Sequence, residues 1–282
     1  MRNLFLKLSK FPPLLILALS LLPASAFAAT PAHYLNVPFT PQVPDGNWSP
    51  PWNNACEESS VIMVERYYLG DQRQRIPPAE AKALMRPLFR WEDRVFGGNA
   101  DTNAERTARL INEYTSFEAT IVRNPSPEAI EAELNADRPV ITLNYGIALN
   151  NPRHRFRRGG SGYHMMVLTG YDHARNQFAV NDPELSEGLD YPYSYDKILS
   201  TLGDFDHRTK KVNRELPTVI FTKPKEFIRA AGRRRVYLVR EGRKFLITRP
   251  KVFTAHRWSW RLVRAVSAEE LAALPEGEPI EE

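Results

Sequence analysis

The chain has 282 residues, with 38 Lys or Arg, 33 Asp or Glu and a single cysteine. That length is ample for one core of ordinary size plus a small appendage. One cysteine excludes an intramolecular disulfide and a cysteine-rich zinc site, and a formal charge of only +5 gives nothing that argues for a nucleic-acid partner.

The N-terminus carries Arg2, Lys7 and Lys10, an apolar stretch from Leu14 to Leu22, and then Ala26-Phe27-Ala28. A positive segment, a short apolar run and an A-x-A site are the parts of a secretory signal peptide, too short to span a membrane. Cleavage is expected after Ala28, giving a secreted or periplasmic protein with no transmembrane segment in the mature chain. Residues 1–28 take away three positive charges and no negative ones, so 35 basic residues then face 33 acidic ones. In an exported protein a lone cysteine points to a reactive thiol or an intermolecular bond, the plain alternative being a buried inert cysteine that acts as a small hydrophobe.

Next comes an extended Pro-rich segment, Val37-Pro38-Phe39-Thr40-Pro41-Gln42, followed by a Pro/Asn/Trp-rich loop. The apolar run Val61-Ile62-Met63-Val64, continued by Tyr67 and Leu69, predicts a largely buried helix with Cys56 at its N-terminal end. Thr102-Asn103-Ala104-Glu105 reads as a capping box, and Ser126-Pro127-Glu128 as an N-cap with Pro at the first helical position. Strand patterns then take over at Pro139–Leu143, Tyr163–Tyr171, Gln177–Asn181 and Thr218–Phe221, with Ser194 capping a short helix through Ile198 and Leu202. Helices first and strands later, without βαβ alternation, predict an α+β fold.

Around Lys223-Pro224-Lys225 the character changes. Val236–Val239 and Lys244–Ile247 form a hairpin-like pair about Glu241-Gly242, and Ser267-Ala268-Glu269-Glu270 is a capping box before Leu271 and Leu274. The expected organisation is a signal peptide at 1–28, a main domain at 29–223 and a small α+β module at 224–282. About sixty residues is marginal for independent folding, so the module is expected to lean on the main domain.

The chemistry centres on Cys56. Unpaired amides and the positive end of the helix dipole at its position favour a thiolate, and Glu57 and Glu58 in the first turn are expected to interact with the dipole and solvent. A cysteine nucleophile needs a base, and the base needs a group to hold its tautomer. Of six histidines, His33, His154, His173, His207 and His256 sit in termini, loops or turns and read as solvated surface residues. His164 opens the apolar strand Met165–Tyr171 directly after a glycine-rich loop, where it can face a cleft or serve as a satisfied core histidine. If Tyr163–Tyr171 and Gln177–Asn181 pair antiparallel, positions summing to about 347 face each other and His164 lies opposite Asp182 or Pro183. Asp172 would be about 26 Å away at roughly 3.3 Å per residue. Asp182 is therefore the candidate orienting group, the alternative being a carboxylate that simply starts the Asn181-Asp182-Pro183 turn. The Cys56 amide can donate to a developing oxyanion, and Gln42 is the candidate for a second donor, with Asn53 and Asn54 as nearer loop alternatives.

Val37-Pro38-Phe39 through Gln42, Ala55-Cys56-Glu57-Glu58-Ser59-Ser60, Gly162-Tyr163-His164-Met165 through Asp172, and Val180-Asn181-Asp182-Pro183 together resemble the C39-like peptidase family, relatives of the papain-like cysteine peptidases. The resemblance implies a papain-like α+β fold with no cofactor. It implies Gln42 as the oxyanion-hole donor, Cys56 as nucleophile, His164 as base and Asp182 as orienting residue. The stretch between Gln42 and Cys56 is longer than is usual in the family. The tail is similar to a short module recurring in exported bacterial proteins, which implies an envelope or binding accessory.

The expected function is a secreted cysteine peptidase or amide hydrolase acting on a peptide or protein substrate through a thioester. A catalytically inactive envelope-binding protein and a cell-wall peptide hydrolase are the alternatives. The basic loop Arg153–Gly160 just precedes His164 and suggests a preference for acidic peptides, against the ordinary fate of a solvated surface loop.

Overall fold

In chain order the elements are β1 (Ala32–Tyr34), a 3-10 turn (Trp52–Asn54), α1 (Cys56–Tyr68), α2 (Pro78–Phe96), α3 (Ala104–Tyr114), β2 (Phe117–Arg123), α4 (Pro127–Asn135), β3 (Val140–Tyr145), α5 (Gly146–Leu149), β4 (Tyr163–Asp172), β5 (Gln177–Asn181), β6 (Tyr191–Ser194) and α6 (Tyr195–Thr201). They continue with β7 (Asp204–Asp206), β8 (Lys211–Asn213), β9 (Thr218–Pro224), β10 (Glu226–Ala230), β11 (Val236–Arg240), β12 (Arg243–Ile247), α7 (Pro250–Ala255), a second 3-10 turn (Trp260–Leu262), β13 (Val263–Val266) and α8 (Ala268–Ala273). The computed structural model describes residues 31–154 and 162–281; the expected signal peptide and the part of the basic loop beyond His154 lie outside the described residues. Among the described residues no helix is long and apolar enough to cross a membrane.

The main sheet runs β2-β9-β3-β4-β5-β6, with β1 paired to β4, and each of its pairings is antiparallel. This is the expected α+β arrangement. All ten residues of β4 are buried, because β4 lies between β3 and β5 while α1 packs against it. α1 is itself buried from Cys56 through Glu65, as its apolar run requires. The cap of α3 differs from the expected one: Asn103, not Thr102, accepts the Arg106 amide, and the Thr102 amide is drawn instead to Glu57 Oε1 at 2.8 Å. Ser126, Ser194 and Ser267 cap α4, α6 and α8 as expected.

The C-terminal segment forms a second sheet, β12-β11-β10-β13, over its own apolar cluster of Phe227, Val236, Leu238, Ile247, Phe253 and Trp258. Glu241 and Gly242 both take positive φ, 51° and 69°, the geometry of a two-residue hairpin turn. This segment is tied to α3 and β2 by buried polar bonds. The Lys225 ammonium donates to the carbonyls of Ile111, Thr115 and Phe117 at 3.2, 2.6 and 2.6 Å. Ser116 Oγ accepts the Ser259 amide at 2.9 Å, and Arg257 reaches Glu65 at 3.1 Å.

Between α1 and α2 the carboxyls of Glu58 and Glu92 are buried side by side. Burial first, and repulsion between the two second, lift Glu58 well above the usual carboxylate range, and burial pushes Glu92 up to about 7. A carboxyl whose folded value is raised binds its proton more tightly in the native state, so stability is lost as pH rises from the unfolded value near 4.3 through 7. Glu92→Gln is expected to gain about 3 kcal/mol on wild type between pH 5 and pH 8.5 in urea unfolding. An equal difference at both pH values would contradict the assignment.

Candidate active site

The 3-10 turn at Trp52–Asn54 delivers the chain into α1, anchored by Trp52, which meets Phe89 of α2 at 5.4 Å and lies under the Lys82 ammonium at 4.7 Å. The long stretch after Gln42 is thus held against α2. Cys56 is the first residue of α1, as expected, but it is only 4 % exposed. Its Sγ donates to Glu57 Oε2 at 3.1 Å and lies against the backbone amide of Met165. Burial, followed by the charge and hydrogen bond of Glu57, raises the thiol well above its ordinary value. The expected resting thiolate is therefore corrected: a helix N-terminus supplies up to about 2 kcal/mol, whereas full burial shifts a titrating group by as much as 3–5 units, roughly 4–7 kcal/mol.

The expectation that Glu57 and Glu58 face solvent is also overturned, since they are 1 % and 2 % exposed. Glu57 spans the thiol and the Thr102 amide, and burial together with the neighbouring Asp101 pushes its carboxyl up to about 8. Asp101 is raised as well, by burial. A packed helix start has no water to solvate these acids, so they retain protons or take them from one another.

His164 and Asp182 meet as the hairpin argument requires. His164 Nε2 is 2.7 Å from Asp182 Oδ1, and both residues have no solvent exposure. The register differs by one or two positions, because Thr169 is the extra residue of a bulge. Asp172 faces Gln177 beyond it, and Val167 faces Asn181 before it. That shift places Asp182 on the His164 face of the sheet, two residues along from the direct opposite. The loop after β5 turns back on Asp182: its amide donates to Gly188 O at 2.9 Å, and the Glu184 amide donates to Oδ1 at 3.1 Å. A Cβ at Gly188 would collide with the Asp182 carbonyl, so this return is open only to glycine.

His154, expected on the surface from its basic loop, is corrected by the structure. His154 is 4 % exposed, and its Nε2 is 2.7 Å from Asp182 Oδ2. Tyr193 Oη donates to the same oxygen at 2.7 Å and accepts from Asn151 Nδ2 at 2.8 Å. The His154 and His164 rings stand edge to face with centroids 5.2 Å apart. Burial alone would raise Asp182, but the charges and hydrogen bonds of the two histidines outweigh it and hold the carboxylate well below the usual range. The arginines around His154 disguised it in the sequence. The one signal was the Tyr191-Pro192-Tyr193 alternation, which turns Tyr193 inward, where its hydroxyl needs a polar partner.

The two imidazoles and the carboxylate offer ligand atoms within 4.8 Å of one another. Ligands sharing a tetrahedral ion at 2.0–2.1 Å stand about 3.3 Å apart. Both nitrogen–oxygen separations here are 2.7 Å, the length of charge-assisted hydrogen bonds. The cluster is a hydrogen-bond network, and its geometry does not fit a metal centre.

Gln42 joins the pieces. Its amide donates to Pro183 O at 2.8 Å, next to Asp182, and its Nε2 donates to Asn53 O at 3.2 Å, in the turn before Cys56. Its Oε1 is buried and accepts no hydrogen bond among the described residues. The four expected residues therefore lie on segments linked in sequence and space: Gln42 to the loops on both sides, Cys56 to the Met165 amide beside His164, and His164 to Asp182. A cleft of about 500 Å³ lined by Glu118, Lys223, Arg240 and Trp258 lies elsewhere, at the junction with the C-terminal sheet.

The sequence matches the Peptidase C39-like family over residues 34–212. Among solved structures, one from Bacillus anthracis, assigned as a C39-like peptidase, is similar with a TM-score of 0.44 and 16 % identity, covering 68 % of this chain and 97 % of that one. No curated protein matches.

Because the charge and hydrogen bond of Glu57 help burial to raise the thiol, Glu57→Gln is expected to move Cys56 ionisation to lower pH, read as thiolate absorbance near 240 nm. An unmoved or raised midpoint would show that the Glu57 charge does not bear on the sulfur.

Proposed function

The chain belongs to the Peptidase C39-like family, and on that premise we propose that it is a cysteine peptidase in which Cys56 attacks, His164 moves the proton and Asp182 orients His164. The observation that carries this reading is the fully buried His164–Asp182 bond at 2.7 Å, on the strand whose Met165 amide touches Cys56. With Nε2 committed to Asp182, Nδ1 of His164 is the nitrogen that takes the thiol proton. The sulfur then bonds to the scissile carbonyl carbon, and the oxyanion receives the Cys56 amide and a Gln42 N–H. Collapse breaks the carbon–nitrogen bond as His164 returns the proton to the amine. Water, losing its proton to His164, then hydrolyses the thioester.

The resting thiol is covered and bonded to Glu57, so substrate must both open the site and draw the sulfur away from that carboxylate. The same observation favours a second reading, an inactive peptidase fold that binds at the cell envelope. We read residues 1–28 as an export signal and the C-terminal sheet as an envelope contact, which suits either reading.

The two are separated by the rate at which a peptidyl acyloxymethyl ketone, whose peptide can open the site, labels Cys56 against pH, an unambiguous signal in a protein with one thiol. The peptidase reading expects labelling that persists below the free-thiol value of about 8.5 and drops by about 10²-fold or more in His164→Ala. Asp182→Asn is expected to lower it by at least about tenfold by releasing the imidazole. Slow labelling that follows an ordinary thiol titration and is the same in all three proteins would leave the binding-protein reading.

A further inference from the structure

We propose that His154 is a positioning residue for this site: it holds the second oxygen of Asp182 and so keeps the carboxylate turned toward His164, the base that serves Cys56. The inference rests on the assignment of His164 as the base.

A carboxylate has about four lone-pair sites at which it can accept hydrogen bonds. Asp182 fills all four. Oδ1 takes His164 Nε2 at 2.7 Å and the Glu184 amide at 3.1 Å, while Oδ2 takes His154 Nε2 and the Tyr193 hydroxyl, both at 2.7 Å. His154 is aimed by its own tight turn, in which its amide donates to Asn151 O at 3.0 Å while the Asn151 side chain fixes Tyr193 at 2.8 Å. A residue needed only to fill space would not be matched so closely to one oxygen.

The groups that these bonds bring against His154 are Asp182 beyond β5, His164 of β4, Tyr193 of β6 and Asn151 of its own turn. One anion therefore serves two imidazoles whose ring centroids are 5.2 Å apart. When the Cys56 proton passes to His164, the new imidazolium needs that anion. A carboxylate short of its Oδ2 donor would be held toward His164 by fewer bonds and would cost more to keep charged in this buried place.

The test is the rate of Cys56 labelling by a peptidyl acyloxymethyl ketone at neutral pH in wild type, His154→Gln, His154→Leu and His164→Ala, with melting curves to show that each is folded. Gln keeps an N–H donor at about the reach of Nε2; Leu offers none. His154→Leu is expected to label about tenfold more slowly, the loss expected when a buried charge is left short of a donor. His154→Gln is expected to recover most of that loss. If both His154 variants overlay wild type while His164→Ala is slow, the inference is wrong and the base assignment stands. If His154→Gln is as slow as His154→Leu, the donated bond is not what matters and the inference is overturned. A His164→Ala rate equal to wild type would instead remove the base assignment, and the role of His154 with it.

Discussion

A carboxylate with no access to water fixes much of this molecule. Asp182 is stable as an anion only if donors replace its hydration on every side, since an unpaired buried charge costs several kcal/mol. The donors come from the start of β4, the turn after α5, β6 and the loop after β5. Those segments must all be in register before the anion can be tolerated, so the site and the centre of the main sheet form together. Gln42 extends the same constraint to the segment before α1 by bonding beside Asp182 and beside Cys56.

The other end of the site has the opposite character. Around the N-terminus of α1, Cys56, Glu57, Glu58, Glu92 and Asp101 all have raised values, each with burial as its first cause. Asp182 has its charge held in place, while these groups are pushed toward their protonated forms. The contrast follows from partners: two imidazoles, an amide and a hydroxyl at one end, mostly other acids at the other. Under the proposed peptidase reading, this contrast suits a site in which the thiol is unmasked on substrate binding and is otherwise stored as the unreactive acid.

Much of this was legible in the sequence because it rests on local pattern. The apolar run after Cys56 fixed α1, Ser126, Ser194 and Ser267 marked three helix starts, and Glu241-Gly242 marked the hairpin of the C-terminal sheet. His164 and Asp182 were found because two neighbouring strands around a short turn bring them near each other; the shift at Thr169, which the sequence does not show, is what turns both to one face. His154 escaped because its partner lies across a loop, and nothing in Arg153-His154-Arg155 distinguishes a buried imidazole from a solvated one. Strand β2 was missed because Phe117–Arg123 follows directly on α3 with a charge at each end of a short apolar segment. The burial of Glu57 and Glu58 was missed because the charge pattern of a first helical turn is the same whether it faces water or a second helix. Solvation is a property of the packed neighbours, and no local pattern carries it.

The most direct test of the central claim, that His164 and Asp182 turn a buried thiol into a nucleophile toward peptide carbonyls, is intact-mass detection of Cys56 labelled by peptidyl acyloxymethyl ketones of varied sequence. These electrophiles require a substrate-like approach to the sulfur. The account predicts one equivalent bound in wild type and essentially none in His164→Ala or Asp182→Asn. Absence of labelling in wild type across the set, or equal labelling in His164→Ala, would contradict it.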